Sequence, residues 1–289
     1  MFPSIKKPEL ERFCQMPELP EVENVRRTLE KLVAGKTVHE VEVFWPKIVK
    51  HPQDCREFSR ILKGQTIQKI GRKGKYLLFY LDRDVLVSHL RMEGKYGLFQ
   101  RDEPMDKHTH VVLTFHDGKQ LRYRDVRKFG TMHVFPIGTE WDRMPLAGLG
   151  PEPFSEAFTP RYLHEKLQKT SRPVKSVLLD QRVVAGIGNI YADEALFRAA
   201  IHPAAPGSRL TAKRVQRLHE AILSTLREAV EKGGSTVRSY ADSQGNSGRF
   251  QWELSVYGRE GEPCRRCGRL IEKMKLGGRG THFCRRCQK

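Results

Sequence analysis

Downstream of Pro20, the apolar positions Val22, Val25, Leu29, Leu32 and Val33 recur at helical spacing. The spacing predicts an amphipathic helix. Pro20 suits its first turn, Glu21 and Glu23 suit the positive end of its dipole, and Gly35 ends it. From residue 37 to residue 135 the pattern changes to short runs rich in β-branched and aromatic residues. Val38, Val41 and Val43 lie in one run; residues 76–81, 85–90, 110–115, 121–124 and 131–135 form others. His116-Asp117-Gly118-Lys119 has the composition of a hairpin turn. Many short strands joined by tight turns predict an antiparallel sandwich or barrel.

Gly148-Leu149-Gly150-Pro151-Glu152-Pro153 interrupts this pattern and marks a domain boundary. Helical periodicity follows. Thr211 suits the cap of a helix with Val215, Leu218, Ile222, Leu226 and Ala229 on one face, stopped by Gly233-Gly234. Shorter helices are expected over 160–168, 174–179 and 189–199. Residues 235–250 are polar and rich in Gly and Ser, and read as a long loop of the kind that is more often functional than structural.

Charge narrows the choice of partner. The 289 residues carry a net charge of +18, which points to a polyanion, either nucleic acid or an anionic membrane. No apolar run approaches the ~18 residues of a membrane span. The first sixteen residues lack the apolar centre of a secretory signal. Four of the six cysteines fall within the last 26 residues. Cys264 and Cys267 form one C-x2-C knuckle and Cys284 and Cys287 another, sixteen residues on. That spacing matches a tetrahedral four-thiolate site for one structural zinc ion, with two redox dithiols or disulfides as the alternative. Residues 261–289 hold nine Lys or Arg against two Glu, so this small metal-stapled hairpin is expected to present a DNA-binding face.

Three further stretches carry candidate chemistry. Gly186-Ile187-Gly188-Asn189 leads into a helix, where backbone N–H groups and the Asn189 side chain could meet a phosphate; packing alone would explain the glycines equally well. Arg127-Lys128-Phe129-Gly130 places an aromatic ring directly after two cations, which suits insertion between bases, and Met92 could be a second wedge; core packing is the plain alternative for both. His108 and His110 could ligate a metal but have no third partner in view, so contact with phosphate or a structural hydrogen bond is the better reading of the pair. Lys75 follows Gly74 at a strand start, where a solvated lysine is the default.

The start motif is different in kind. In Met16-Pro17-Glu18, removal of the methionine would leave an amino-terminal proline, a secondary amine. An α-amine has a pKa about 2 units below that of a lysine side chain, so more of it is neutral and nucleophilic near neutral pH. With residues 1–16 attached, Pro17 would be an amide nitrogen with no such lone pair. Translation starting at Met16 is therefore expected, with Met1 an upstream in-frame start or an added segment.

Taken together, the runs 17–23, 75–78, 89–92, 127–130, 150–153 and 186–191 with the terminal four-Cys element resemble the bacterial formamidopyrimidine-DNA glycosylase (Fpg) family, in family order over residues 16–289. The resemblance implies an α+β multidomain chain. Its parts would be an N-terminal antiparallel β-sandwich over 17–147 with a flanking helix, a helix-two-turn-helix DNA-binding domain over 151–250, and a β-hairpin zinc finger over 251–289. It implies a monomeric cytoplasmic repair enzyme, associated with the nucleoid through DNA binding. Such an enzyme excises 8-oxoguanine and formamidopyrimidines from duplex DNA and then nicks the abasic site. By resemblance, Pro17 is the nucleophile, Glu18 the acid/base, Lys75 and Arg279 serve in β- and δ-elimination, and Glu21 supports them. Met92, His108, Arg127, Phe129 and Asn189 contact DNA, and the 235–250 loop closes over the lesion. The rival readings are an endonuclease VIII-type enzyme for oxidised pyrimidines and a non-catalytic zinc-containing DNA-binding protein.

Overall fold

The structure, a computed structural model, describes residues 16–235 and 249–289. The extension up to residue 15 and residues 236–248 of the polar loop lie outside the described residues. The chain divides into two compact units, one of residues 16–147 with 233–235 and one of residues 148–232 with 249–289. Among the described residues no helix is long and apolar enough to cross a membrane.

The first unit begins with α1 (Leu19–Val33), whose buried face carries Leu19, Val22, Val25, Leu29 and Val33. Nine strands follow: β1 (Val38–Val43), β2 (Val49–His51), β3 (Lys69–Lys73), β4 (Tyr76–Tyr80), β5 (Asp84–His89), β6 (Lys95–Phe99), β7 (Thr109–Phe115), β8 (Gln120–Arg124) and β9 (Thr131–Pro136). They form a four-stranded sheet in the order β1-β7-β8-β6 and a five-stranded sheet in the order β2-β9-β5-β4-β3. One core joins Val22, Val25 and Leu29 of the helix to Val41, Phe79, Leu86, Val111, Phe115 and Leu121 of both sheets. Burying a large apolar side chain stabilises a fold by about 1.5–3 kcal/mol, so this shared core fixes the front of α1 against the sandwich. The hairpin between β7 and β8 turns at Gly118, whose φ of 81° requires glycine or a rare alternative.

Two features depart from the sequence pattern. The edge strand β2 pairs with β9 in parallel, while every other pairing in the sandwich is antiparallel. Within the stretch that reads as strands, Cys55–Leu62 forms a helix, α2. The Asp54 carboxylate caps it by accepting from the Arg56 N–H at 2.8 Å. Only Phe58 and Leu62 are buried, one i,i+4 pair, which is too little for a helical period to show.

The second unit holds α3 (Pro160–Gln168), α4 (Val174–Leu178), α5 (Asn189–Arg198) and α6 (Ala212–Glu231). The buried face of α6 includes Val215, Leu218, Ile222, Leu226 and Ala229, as its period predicts, but the Thr211 side chain makes no cap bond. After α6, the chain from residue 249 runs into a two-stranded antiparallel hairpin, β10 (Glu272–Leu276) and β11 (Arg279–Phe283). The Glu194 carboxylate in α5 accepts the backbone N–H groups of Ser255, Val256 and Tyr257, each at 2.9 Å. Phe197 of α5 packs in one cluster with Val256, Ile271, Cys264 and Cys284, which seats the hairpin on the helices.

Candidate active site and nucleic-acid interface

Pro17 and Glu18 are buried at the front of α1. Glu18 is the N-cap, and with Glu21 it forms a reciprocal capping box that satisfies backbone N–H groups of the first turn. The Glu18 N–H donates to Glu21 Oε2 at 2.9 Å. The other oxygen, Glu21 Oε1, accepts from both the N–H and the hydroxyl of Ser235, at 2.7 and 3.0 Å. The backbone bearing Pro17 is thus fixed by a carboxylate that is itself held on its far side. One turn on, Glu23 Oε2 accepts from Arg72 Nε at 3.0 Å, and Arg72 Nη1 donates to the Gly74 carbonyl at 3.0 Å. Burial pushes the Glu23 pKa up, but Arg72, Arg26 and Arg27 outweigh it and hold the carboxyl below its usual range. This chain of contacts ends on the residue before Lys75, which is buried in the turn between β3 and β4.

Met92 and Phe129 sit on two loops whose backbones are held in unusual conformations. Arg91 has φ 54° and Lys128 φ 57°, in the left-handed region that few non-glycine residues occupy. His89 Nδ1 accepts the Arg91 N–H at 2.9 Å. Burial first, then the charges of Arg91 and Lys75, hold the His89 pKa well below its ordinary value, so the ring is neutral and able to accept. On the second loop the buried Asp125 carboxylate accepts from the N–H groups of Arg127, Phe129 and Gly130 at 3.0, 2.9 and 2.8 Å. Phe129 is 52% exposed, and the Arg127 guanidinium lies 4.9 Å from its ring centroid. An aromatic ring held out of the core and stacked on a cation suits contact with bases. Met92 is half-buried. His108 lies on the approach to the same loop, its carbonyl accepting the Asp125 N–H at 3.0 Å. His110 Nε2 is 2.7 Å from the Asp125 carbonyl, a structural bond and no metal ligation.

In the second unit, Asn189 and Arg279 are brought together through Gly280. Asn189 Nδ2 donates to the Gly280 carbonyl at 2.9 Å, and its buried Oδ1 has no hydrogen-bond partner. The Gly186 N–H is taken by the Gln181 side chain at 2.9 Å, so it is not free for a phosphate. Lys175 Nζ donates to the Gly280 carbonyl at 3.1 Å and to Thr281 Oγ1 at 2.8 Å, and pairs with Asp193 Oδ1 at 2.7 Å. Asp193 Oδ2 also accepts the His282 N–H at 2.9 Å. The two helices α4 and α5 therefore grip β11 immediately after Arg279, whose own side chain is exposed.

The four finger cysteines converge, with all four Sγ atoms within 4.8 Å of one another. Cys264 and Cys287 Sγ lie 3.9 Å apart, and Cys267 and Cys284 Sγ 3.5 Å. A disulfide would need about 2.05 Å, whereas four sulfurs at ~2.3 Å from a tetrahedral zinc stand roughly 3.8 Å apart. The donor set thus fits one structural zinc ion, held by Cys264, Cys267, Cys284 and Cys287 with no position left open. The Arg269 backbone N–H draws the Cys267 thiol down to about 7, while burial pushes Cys287 up to about 12. Four thiols so placed need a cation before all can ionise.

Several residues that organise these places are given no role by the sequence pattern. Asp125, His89 and Arg72 bind nearby backbone groups, which carry no residue identity. Tyr123 acts through its side-chain oxygen, and the Lys175–Asp193 pair reaches backbone far along the chain; an aspartate among arginines reads as surface charge. Family models match three stretches: the formamidopyrimidine-DNA glycosylase N-terminal domain over residues 16–132, its H2TH domain over 149–241, and the zinc finger found in FPG and IleRS over 261–289. A formamidopyrimidine-DNA glycosylase of Bacillus licheniformis is 65% identical over 274 residues, covering 95% of this chain and 100% of that protein. A Lactococcus lactis Fpg in complex with DNA containing an abasic site is similar in structure, with TM-score 0.88, 44% identity and coverage of 94% of this chain and 99% of that one. Another complex of the Lactococcus lactis protein, with DNA containing Fapy-dG, gives TM-score 0.87 at 44% identity, covering 94% of this chain and 100% of that one. A helix-fronted β-sandwich, a helical unit and a four-thiolate hairpin define a multidomain DNA-repair architecture. The chain belongs to the formamidopyrimidine-DNA glycosylase family.

Proposed function

We propose that this protein excises oxidised purines, 8-oxoguanine and formamidopyrimidines, from duplex DNA and then cleaves the abasic site, with Pro17 as the amine nucleophile. The observation that carries this is the front of α1, where Glu21 fixes the Glu18 backbone beside a buried Pro17. The family match begins at residue 16, which supports an active form whose first residue is Pro17.

The neutral Pro17 nitrogen attacks C1′ of the damaged nucleotide. The bond from C1′ to the base breaks, and the base leaves with the electron pair and takes up a proton. Opening of the sugar ring yields an iminium between Pro17 and C1′, with Glu18 moving the proton at the ring oxygen. Because the amine is secondary, the iminium keeps its positive charge and acts as an electron sink. Loss of a C2′ proton then expels the 3′ phosphate, a step assigned to Lys75, and a further proton loss expels the 5′ phosphate, assigned to Arg279. Water finally releases Pro17.

The target base must leave the stack, at a cost of a few kcal/mol. Met92 and Phe129 fill the gap, Arg127 contacts the unpaired base, and His108 and Asn189 contact the DNA backbone. The zinc ion keeps the finger folded, and its lysines and arginines meet phosphate. We assign catalysis to 17–147, DNA binding to 151–250 and the finger to 251–289, with the 235–250 loop closing over the lesion. Acting on chromosomal DNA, the enzyme works as a monomer in the bacterial cytoplasm, along the nucleoid. Incision of a duplex with one 8-oxoguanine, compared with one thymine glycol, tests the substrate. Preferential cleavage at 8-oxoguanine is expected, and equal or reversed preference would refute the purine assignment.

A further inference from the structure

We propose that Tyr123 and Asp125 couple the Met92 loop to the loop of Arg127 and Phe129, so that both enter DNA as one preformed unit. This rests on the function proposed above and deepens it. The two residues touch no DNA in this scheme; they are positioning residues.

Tyr123 is fully buried, its ring packed on Tyr96 with centroids 5.1 Å apart. Its hydroxyl oxygen emerges between the two loops. A Cβ built on Gly94 would lie 2.1 Å from that oxygen, and one built on Gly130 would lie 1.8 Å from it. No side chain fits at either distance, so both glycines are required by the same oxygen atom. Tyr123 Oη also stands 3.5 Å from Asp125 Oδ2, the oxygen that accepts from Phe129 and Gly130. On the other loop the Gly94 N–H closes a turn onto the Leu90 carbonyl at 3.0 Å. Two loops more than thirty residues apart in sequence are thus built around one phenol.

An exposed loop needs no such bracing to keep a sandwich folded. Arg127 and Phe129 project outward, and three N–H groups are given to one buried carboxylate to hold them there. Rigidity at an exposed ring lowers the ordering cost of insertion, which is where a binding surface gains from it. It also fixes Arg127 relative to Met92, so the unpaired base is read from one geometry.

The test uses Tyr123→Phe and Asp125→Asn in the full chain beginning at Pro17. Borohydride trapping on a single-stranded abasic oligonucleotide needs no gap to be filled, and both variants are expected to trap within about two-fold of the parent. Excision of 8-oxoguanine from duplex DNA is expected to fall about 10- to 100-fold, the effect of one to two lost bonds to a carboxylate. The ratio of rates opposite cytosine and opposite adenine is expected to move toward one. Unchanged duplex excision and opposite-base ratio overturn the coupling, and so does an equal fall in trapping and excision. If Asp125→Asn does not fold, Tyr123→Phe alone decides between these outcomes. Failure of the parent to trap at all refutes the amine chemistry, and the coupling with it.

Discussion

Ser235 donates its N–H and its hydroxyl to one oxygen of the Glu21 carboxylate, although the two residues are 214 positions apart. The second oxygen holds the Glu18 N–H at 2.9 Å. Gly234, with φ +84°, completes the approach, since a Cβ there would come within 2.8 Å of Glu21 Oε1. The proposed nucleophile is therefore positioned by a distant backbone segment as well as by its own helix.

Replacing this carboxylate separates positioning from folding. Glu21→Gln keeps the size but exchanges one acceptor for a donor, which then opposes either Ser235 or the Glu18 N–H. Stability is expected to fall by about 1–3 kcal/mol in urea unfolding, and single-turnover trapping on abasic duplex by about ten-fold or more. Trapping at the parent rate would show that Glu21 does not hold the site.

The buried Lys175–Asp193 pair is expected to be costly to break from one side. Lys175→Met leaves Asp193 charged and uncompensated, at about 3–5 kcal/mol. A double variant that also converts Asp193 to Leu should recover part of this loss in denaturant unfolding. Because the pair grips β11 beside Arg279, the single variant should also slow the second elimination more than base excision.

Metal removal tests the finger. One equivalent of zinc per chain is expected by metal analysis, released by a strong chelator or by Cys264→Ser. Duplex affinity should fall at least ten-fold with it, since a hairpin of this size folds only around its ion. The structure of the β-sandwich should survive, as followed by the melting transition of the remainder.

A histidine sets one pH response. Burial, then the charges of His51, Lys50 and Arg91, lower the His133 pKa to about 4 from an ordinary 6.5, and its Nδ1 has no hydrogen-bond partner. The folded form thus favours the neutral ring. Its contribution is whole above pH 6.5 and is lost as the unfolded chain takes up a proton between pH 6.5 and about 4. Water screens a half-buried ring, which keeps the loss to about 1–2 kcal/mol. His133→Phe should flatten the stability profile in that window, measured as unfolding midpoint against pH.

Much of this architecture was legible in the residues. The apolar faces of α1 and α6 repeat over four or more positions, and the cysteine spacing has few alternative uses. Short local signals were weaker: α2 buries one pair of side chains, and β2, with three residues, joins an otherwise antiparallel sandwich in parallel. The positioning groups were silent for a different reason. Asp125 binds backbone amides, which carry no residue identity, and Tyr123 acts by the absence of side chains at Gly94 and Gly130. Arg127 and Phe129 announce themselves as cation and ring; what holds them does not.

The most direct measurement is borohydride trapping on an abasic duplex by two forms of the chain, one beginning at Met1 and one at Pro17, each verified by amino-terminal sequencing. A covalent adduct is expected only from the form beginning at Pro17, with the modification on the Pro17 nitrogen by peptide mass spectrometry. An adduct of equal yield from the chain that still begins at Met1 would contradict Pro17 as the nucleophile.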